Sequence, residues 1–372
     1  MKFSIDRAAL LDPLQIVSNV VERRQTLPIL ANLLLIADAG SGSNGLTLTG
    51  TDQEVELSAR TSLLQIEEPG EITVPARKLL DICRSLPESA VLDFRIDGSR
   101  LGVESGRFKS HLATLPAIDF PKVEMENIEV EFSVSAQALH GLLDKTSFAM
   151  AQQDVRYFFN GLLCETTPDL VRFVATNGQR LATSYLENIR TGEDTRQFIV
   201  PRKSVSELFR LIPDDADQDV EIRFSSNHLQ VRCGDANLTT KLIDATYPDY
   251  TRAIPDRGDK VLVGDRQEIR EALIRTAILS NEIYKNVRLR LESGKLEMHS
   301  NNPAQEEAEE SVSVDYDGAS LEIGFNVSYL IDALSVISGE KVEITFSDSD
   351  SACLLASPDD INSIYVISPM VL

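Results

Sequence analysis

The apolar positions of this chain keep changing period, and the change recurs. Lys2-Phe3-Ser4-Ile5-Asp6 alternates with period two, as a half-buried strand does. Leu10, Leu11, Leu14, Val17 and Val21 then follow at mostly three- and four-residue steps, as one face of a helix does. The pattern restarts at Glu131-Phe132-Ser133-Val134-Ser135, with Leu139, Leu142 and Leu143 behind it. It restarts again at Val261-Leu262-Val263-Gly264-Asp265, with Ile269, Leu273, Ile274, Ala277 and Ile278 behind it. The spacings are 129 and 130 residues. Period two puts Phe3 with Ile5, Phe132 with Val134 and Val261 with Val263 on one face. Asp6, Ser135 and Asp265 stand where an N-cap oxygen accepts an orphan backbone N–H.

A second strand-to-helix unit lies inside each repeat. Ile72-Thr73-Val74-Pro75-Ala76-Arg77-Lys78 matches Phe198-Ile199-Val200-Pro201-Arg202-Lys203, and Ile323-Gly324-Phe325-Asn326-Val327-Ser328-Tyr329 is the third copy. Pro is tolerated at a helix start because its missing N–H has no intrahelical partner there. Phe120-Pro121 and Tyr247-Pro248 close two of the copies. Short alternating runs fill the rest, at 91–96, 220–224 and 342–346 among others, with turn signals in the 40–45 run and at Asp97-Gly98. Helices are predicted over 7–24, 76–86, 136–150, 202–211, 266–280 and 327–337. Each repeat is thus an α+β unit, two helices packed on antiparallel sheets, with domains over 1–125, 126–252 and 253–372.

Composition narrows the class. Hydrophobic residues at 42% and charged residues at 25% exclude wholesale disorder. No apolar run approaches the roughly 20 residues of a membrane span, and the charged N-terminus has no apolar signal core, so a cytoplasmic protein without a membrane partner is expected. Cys83, Cys164, Cys233 and Cys353 lie far apart, which predicts reduced thiols rather than a metal cage or disulfide framework. His111, His140, His228 and His299 show no metal-ligand spacing and no nucleophile context, and no phosphate-binding glycine loop occurs. The carboxylates of 301–310 form either an acidic metal-binding loop or a solvated or interface-forming edge. No catalytic residue, metal or cofactor is predicted.

The formal net charge of −22 argues at first against a nucleic-acid partner. Its distribution changes that picture. The predicted helices hold 13 Lys/Arg and 8 Asp/Glu, a net of +5, which leaves −27 on everything else. Arg23-Arg24, Arg77-Lys78, Arg202-Lys203 and Arg266 with Arg270 recur at helix ends of different repeats. Basic residues are also good helix formers that solvate a face, but helices gathered on one side would present a positive face for diffuse phosphate contacts. Over residues 1–125, 126–250 and 251–372 the net charge runs −4, −7 and −11.

Over its full length the chain resembles the bacterial DNA polymerase III beta subunits, the sliding-clamp family. The resemblance is carried by Gln153-Asp154-Val155-Arg156-Tyr157, by Val174-Ala175-Thr176-Asn177-Gly178-Gln179-Arg180-Leu181-Ala182, by Pro369-Met370-Val371-Leu372, and by the stretches 26–34, 73–78, 247–250, 277–282, 301–310 and 323–329. It implies a DNA clamp fold: three similar domains that dimerise head to tail into a closed six-domain ring with helices lining the hole. Helices about 10–12 Å across, twelve to a dimer, would enclose a lumen of roughly 30 Å, wider than a duplex.

The implied function is a non-catalytic processivity subunit. It encircles double-stranded DNA without reading sequence and tethers the DNA polymerase III core. The clamp loader and other polymerases and repair proteins would engage it through short clamp-binding peptides. Positions matching the family's peptide pocket are Phe159, Thr176, Gly178, Gln179, Arg180, Leu181, Pro248, Arg252, Ala253, Val366, Ile367, Ser368, Pro369, Met370 and Leu372. Phe159, Gln179, Ser368 and Val371 depart from the family's pattern, which puts peptide preference in doubt. Positions matching its DNA contacts are Arg24, Arg77, Gln153, Tyr157 and Phe158, the last in place of a Tyr. A dimer contact would join Arg107 and Lys109 to Glu306, Glu307 and Glu310, with Ile278 and Leu279 against Leu112, although Ile278 and Leu279 also read as an ordinary buried helix face. An acidic interaction scaffold and a carboxylate hydrolase are the competing classes. The basic helices speak against the first, and the missing histidine or metal constellation against the second.

Overall fold

The structure of the protein is a computed structural model that describes residues 1–21, 27–39, 44–123, 125–213 and 218–371. Arg23, Arg24, Leu372 and the start of the 40–45 turn lie outside the described residues.

The first repeat runs β1 (Lys2–Asp6), α1 (Arg7–Ser18), β2 (Asn32–Ala39), β3 (Asn44–Thr51), β4 (Val55–Ser62), β5 (Gln65–Glu68), β6 (Gly70–Pro75), α2 (Ala76–Ser85), β7 (Val91–Asp97), β8 (Arg100–Ser105) and β9 (Phe108–Ala113). The second runs β10 (Val130–Ser135), α3 (Ala136–Ser147), β11 (Gly161–Thr167), β12 (Leu170–Thr176), β13 (Arg180–Glu187), β14 (Arg196–Pro201), α4 (Arg202–Leu211), β15 (Asp219–Phe224), β16 (His228–Cys233) and β17 (Ala236–Lys241). The third runs β18 (Lys260–Asp265), α5 (Arg266–Ala277), β19 (Asn286–Glu292), β20 (Lys295–Asn301), β21 (Glu307–Ser313), β22 (Leu321–Asn326), α6 (Val327–Val336), β23 (Lys341–Phe346), β24 (Cys353–Ser357) and β25 (Asp360–Ile367).

The repeats share sheets across their boundaries. One compact unit, Met1–His140 with Lys203–Leu242, holds a five-stranded sheet, β5-β1-β7-β8-β9, and an eight-stranded sheet, β10-β15-β16-β17-β4-β3-β2-β6. The other, Gly141–Arg202 with Ile243–Leu372, holds an eight-stranded sheet, β14-β11-β12-β13-β25-β24-β23-β18, and a four-stranded sheet, β21-β20-β19-β22. The middle repeat therefore splits between units, because each of its halves continues a neighbour's sheet. In the first unit the join is β17 on β4, and in the second β25 on β13, both antiparallel.

Helix stripes cover the sheets as the three- and four-residue spacing requires. Leu10, Leu14 and Val17 of α1 are buried, as are Ile269, Ala272, Leu273 and Thr276 of α5. The first helix of each repeat stops short of its prediction. Its apolar period outlasts its hydrogen bonding, since the final turn tightens to i−3 bonds: Val21 N–H to Ser18 O, Met150 N–H to Ser147 O and Ser280 N–H to Ala277 O. Two capping expectations hold, with Ala138 N–H on Ser135 Oγ at 3.2 Å and Glu268 N–H on Asp265 Oδ1 at 2.8 Å. The third does not: Asp6 makes no side-chain cap, and the Arg7 N–H bonds Ala90 O instead at 2.8 Å. Val261 and Val263 do share one face, but it is the half-buried one; Leu262 and Gly264 face inward, and Ile269 fills the space a side chain at 264 would take, 2.6 Å from a Cβ placed there.

The four cysteines are buried and unpaired, and burial pushes the Cys164 and Cys353 thiols up. Among the described residues no helix is long and apolar enough to cross a membrane, and no group of three or more His, Cys, Asp or Glu could hold a metal ion.

Candidate functional site

In the second unit a turn and two strand ends build an apolar site. Thr176 and Asn177 close the β12–β13 turn on itself. Asn177 Oδ1 accepts from the N–H groups of Gln179 and Arg180 at 3.0 Å each, and Thr176 Oγ1 accepts from Gly178 N–H at 3.0 Å. Gly178 has φ of +89° and a side chain there would meet the Arg156 guanidinium, so glycine suits the position twice over. The ladder then sets Arg180 opposite Ile367 and Leu181 opposite Val366, and Ser368 N–H donates to Gln179 O at 2.8 Å. Phe159, Leu181, Val366, Tyr247 and Tyr250 form one buried cluster beneath this turn.

The structure thus brings together Phe159, Thr176, Gly178, Gln179, Arg180, Leu181, Val366, Ile367 and Ser368. Pro248, Arg252 and Ala253 are exposed on the segment that carries Tyr247 and Tyr250, and Arg252 pairs with Asp249 at 3.0 Å. Pro369 and Met370 lie elsewhere. Met370 N–H bonds Gly324 O at 2.8 Å, and both residues line a separate hollow of about 370 Å³ beside β22. Leu372 lies outside the described residues.

Next to the turn is a cavity of about 730 Å³ that the sequence reading did not assemble. Arg180 sits between the rings of Tyr329 and Phe148, 4.5 and 5.2 Å from their centroids, and pairs with Asp332 at 2.6 Å. Its Nε is buried with no hydrogen-bond partner. Tyr329 OH donates to Gln179 Oε1 and accepts from Asn177 Nδ2, each at 3.2 Å. Arg156 grips Asp154 through Nε at 3.0 Å and Nη2 at 2.8 Å, reaches Asn177 O at 3.2 Å, and lies over the Phe159 ring. The hydrogen bond from the Arg156 side chain holds the Asp154 carboxyl down at about 2. Arg156, Asn177 and Tyr329 stood inside stretches that carried the resemblance, but nothing in their spacing marks them as neighbours.

The expected DNA contacts divide. Arg24 lies outside the described residues. Gln153 and Tyr157 are exposed with Val155 on one loop, Val155 93% exposed. Phe158 instead packs edge-on against Phe159, with ring centroids 4.6 Å apart, and is half-buried. Arg77 is exposed, with Nη2 3.4 Å from Val21 O.

That last contact explains much of the recurring basic pattern. Arg7 donates to Cys83 O at 3.0 Å, Arg202 to Met150 O at 3.0 Å and Arg266 to Leu334 O at 2.8 Å. Each arginine at a helix start satisfies orphan carbonyls at or just past the end of another helix. Lys203 pairs with Asp52, Lys145 with Asp360 and Arg275 with Glu310, carboxylates outside the helices. The helices' net positive charge is therefore smaller in effect than the sequence count suggests, and Lys78 and Arg84 remain exposed beside Arg77.

Among the strands that end their sheets are β9 in the first unit and β21 in the second, which are the equivalents of the strands joined elsewhere as β17 on β4 and β25 on β13. Lys109 of β9 pairs with Glu104 at 2.8 Å, Phe108 is partly exposed, and Leu112 is buried in its own core. On the other side Ile278 is 75% exposed and Leu279 half-buried. Glu306 accepts from Asn302 Nδ2 at 2.7 Å, Glu307 lies 3.8 Å from His299, and Glu310 is held by Arg275. Arg107 sits in the turn just before β9.

Three family models match in chain order: DNA polymerase III beta subunit, N-terminal domain, over residues 1–124; central domain, over 133–249; and C-terminal domain, over 251–371. The chain is 51% identical over 370 residues to the beta sliding clamp of Pseudomonas aeruginosa and 44% identical to that of Escherichia coli, in each case across 100% of both chains. Among solved structures, the DNA polymerase III subunit beta from Pseudomonas aeruginosa superposes with a TM-score of 0.96 at 51% identity, and a beta sliding clamp from Caulobacter crescentus with 0.95 at 37%, both over 100% of each chain.

Proposed function

The chain belongs to the DNA polymerase III beta subunit family and is a sliding clamp, and from that premise we propose that two copies join head to tail into a closed ring around duplex DNA. The observation that carries the reading is a count of one kind of strand union. Each repeat supplies one strand of the β4 kind (β4, β13, β21) and one of the β9 kind (β9, β17, β25). Two unions, β17 on β4 and β25 on β13, are made within the chain, which leaves β9 and β21. A second copy offers the missing partner for each, and the two new unions leave neither edge open.

The internal joins also supply a register. Val103, Val231 and Leu355 hold equivalent places and pair with Ser110, Leu238 and Tyr365. Thr49, Val174 and His299 likewise pair with Ser58, Thr183 and Glu309. Leu238 faces Leu57, and Tyr365 faces Ala182. By the same rule Ser110 faces Ala308 of the second copy, Lys109 faces Glu309, and Phe108 faces Glu310. Arg107 and Lys109 then approach a row of glutamates, and Phe108 approaches Ile278. Phe108, rather than the already buried Leu112, is the apolar contribution from β9.

Within such a ring the DNA is retained because the ring is closed, so its contacts can be weak and sequence-independent. Gln153, Tyr157, Arg77 and Arg24 are the proposed contacts. The pocket of Phe159, Leu181 and Val366, rimmed by Gln179, Arg180 and Ser368, takes a short, partly apolar peptide. DNA polymerase III, the clamp loader and repair proteins carry such peptides in the proposed scheme. The protein contributes tethering in the cytoplasm and no chemistry of its own.

The register gives a direct test. Ser110→Cys with Ala308→Cys in one chain should yield a covalent dimer on mild oxidation, because directly opposed strand residues meet disulfide geometry. Ser110→Cys with Glu306→Cys, out of register, should not. Monomers from both pairs would overturn the proposed union.

A further inference from the structure

The register that joins copies also sets His111 of one copy opposite Glu307 of the other, by the rule that sets Thr239 opposite Glu56 and Val366 opposite Leu181 within the chain. This step rests on the ring proposed above. His111 is exposed on the face of β9 that also carries Lys109. Its neighbour across the β8–β9 ladder is Gly102, which has no side chain to offer it. Glu307 projects from β21, its side chain 77% exposed, with His299 of the same copy 3.8 Å away. We infer that His111 and Glu307 form a proton-linked clasp between copies, so that the ring tightens as pH falls through the imidazole range.

The charged surroundings of the clasp come from both sides. On the β9 side, His111 rims a hollow of about 480 Å³ that also holds Lys2, Glu67, Asp93, Arg95, Asp97 and Glu104. Lys109 is engaged by Glu104 at 2.8 Å, and Arg100 lies opposite Ala113 at the far end of β9. On the β21 side stand Glu307, Glu309 and His299, with Arg288 across the next ladder from His299. The hollow's carboxylates act on His111 whether or not the copies are joined. What association adds is the second copy's glutamates, which favour the imidazolium.

The sign follows from linkage. Because the joined state favours protonated His111, dimer formation takes up protons. The added affinity is fully present where the imidazole is protonated in both states. It is lost as pH rises and the imidazole gives up its proton.

Sedimentation equilibrium of the full-length protein at constant ionic strength tests this. The dimer dissociation constant should rise about tenfold from about pH 6 to about pH 8, two clasps contributing per ring. His111→Gln should keep the high-pH affinity and flatten the dependence. His111→Lys should hold the tighter affinity at both pH values. The general loss of negative charge on acidification acts on all three proteins alike, so the difference between them isolates the clasp. A His111→Gln dimer with the original pH slope overturns the inference while leaving the ring intact. A chain that stays monomeric at every pH overturns both.

Discussion

The joins inside the chain and the two strands left unjoined share one ladder plan, yet they carry opposite chemistry. At β17 on β4, Ala236, Leu238 and Thr240 face Ala59, Leu57 and Val55, and all six are buried. Equivalent places on the open edges hold Phe108, Ser110 and Leu112 against Glu310, Ala308 and Glu306. A join within the chain forms once, on folding, and is never offered to solvent, so it can be dry. An edge that must exist in a free chain is better charged, since a bare apolar edge invites indiscriminate strand addition. Lys109 on one edge and Glu307 and Glu309 on the other keep each strand soluble alone while complementing the other.

The largest effect should come from breaking the dry join. Leu57→Ala removes a side chain only 2% exposed and should lower stability by about 2–5 kcal/mol in urea denaturation, whereas Ser110→Ala on the open edge should change it by less than about 0.5 kcal/mol. Equal losses would erase the contrast. Ile278→Ala with Leu279→Ala should produce monomers in sedimentation, a dimer weakened about a hundredfold or more. Any loss of fold stability in the single chain should come from the half-buried Leu279, since Ile278 is 75% exposed. Salt sharpens the comparison further. Raising it from about 0.1 to 1 M shortens the screening length from about 10 to 3 Å and should weaken the dimer several-fold, with little change at the internal joins.

The smallest effect concerns Glu310. The hydrogen bond from Arg275 holds its carboxyl below the ordinary value of 4.5. A depressed carboxylate contributes stability above its unfolded value and loses it as pH falls through the folded one. Arg275→Ala should therefore raise the Glu310 titration toward 4.5, read by carboxyl NMR shifts, and flatten that part of the acid limb.

What the chain disclosed in advance was what periodicity encodes. Strand-to-helix units, their threefold recurrence and the helix starts at Pro75, Ser135, Pro201 and Asp265 follow from local patterns of burial and N–H satisfaction. Sheet sharing was not legible, because β4 and β17 lie about 180 residues apart in a chain where any alternating strand could pair with any other. The inward face of Leu262 and Gly264 was not legible either, since a glycine at an inward position is invisible to a count of apolar residues. The basic helix ends were read as a surface, but Arg202 and Arg266 bond carbonyls of or just past other helices, a contact that depends on tertiary placement. At the pocket, the Thr176–Leu181 turn could be seen in sequence, while the stacking of Arg180 between Phe148 and Tyr329 could not.

The ring itself is tested most directly on DNA. The protein is loaded on a nicked circular duplex with a clamp loader and ATP, freed from the loader, and the circle is then cut once. A closed ring held by topology should stay with the circle through a high-salt wash and run off once the ends are free. Retention on the linear duplex, or loss from the intact circle at the same rate as from the cut one, would contradict the ring.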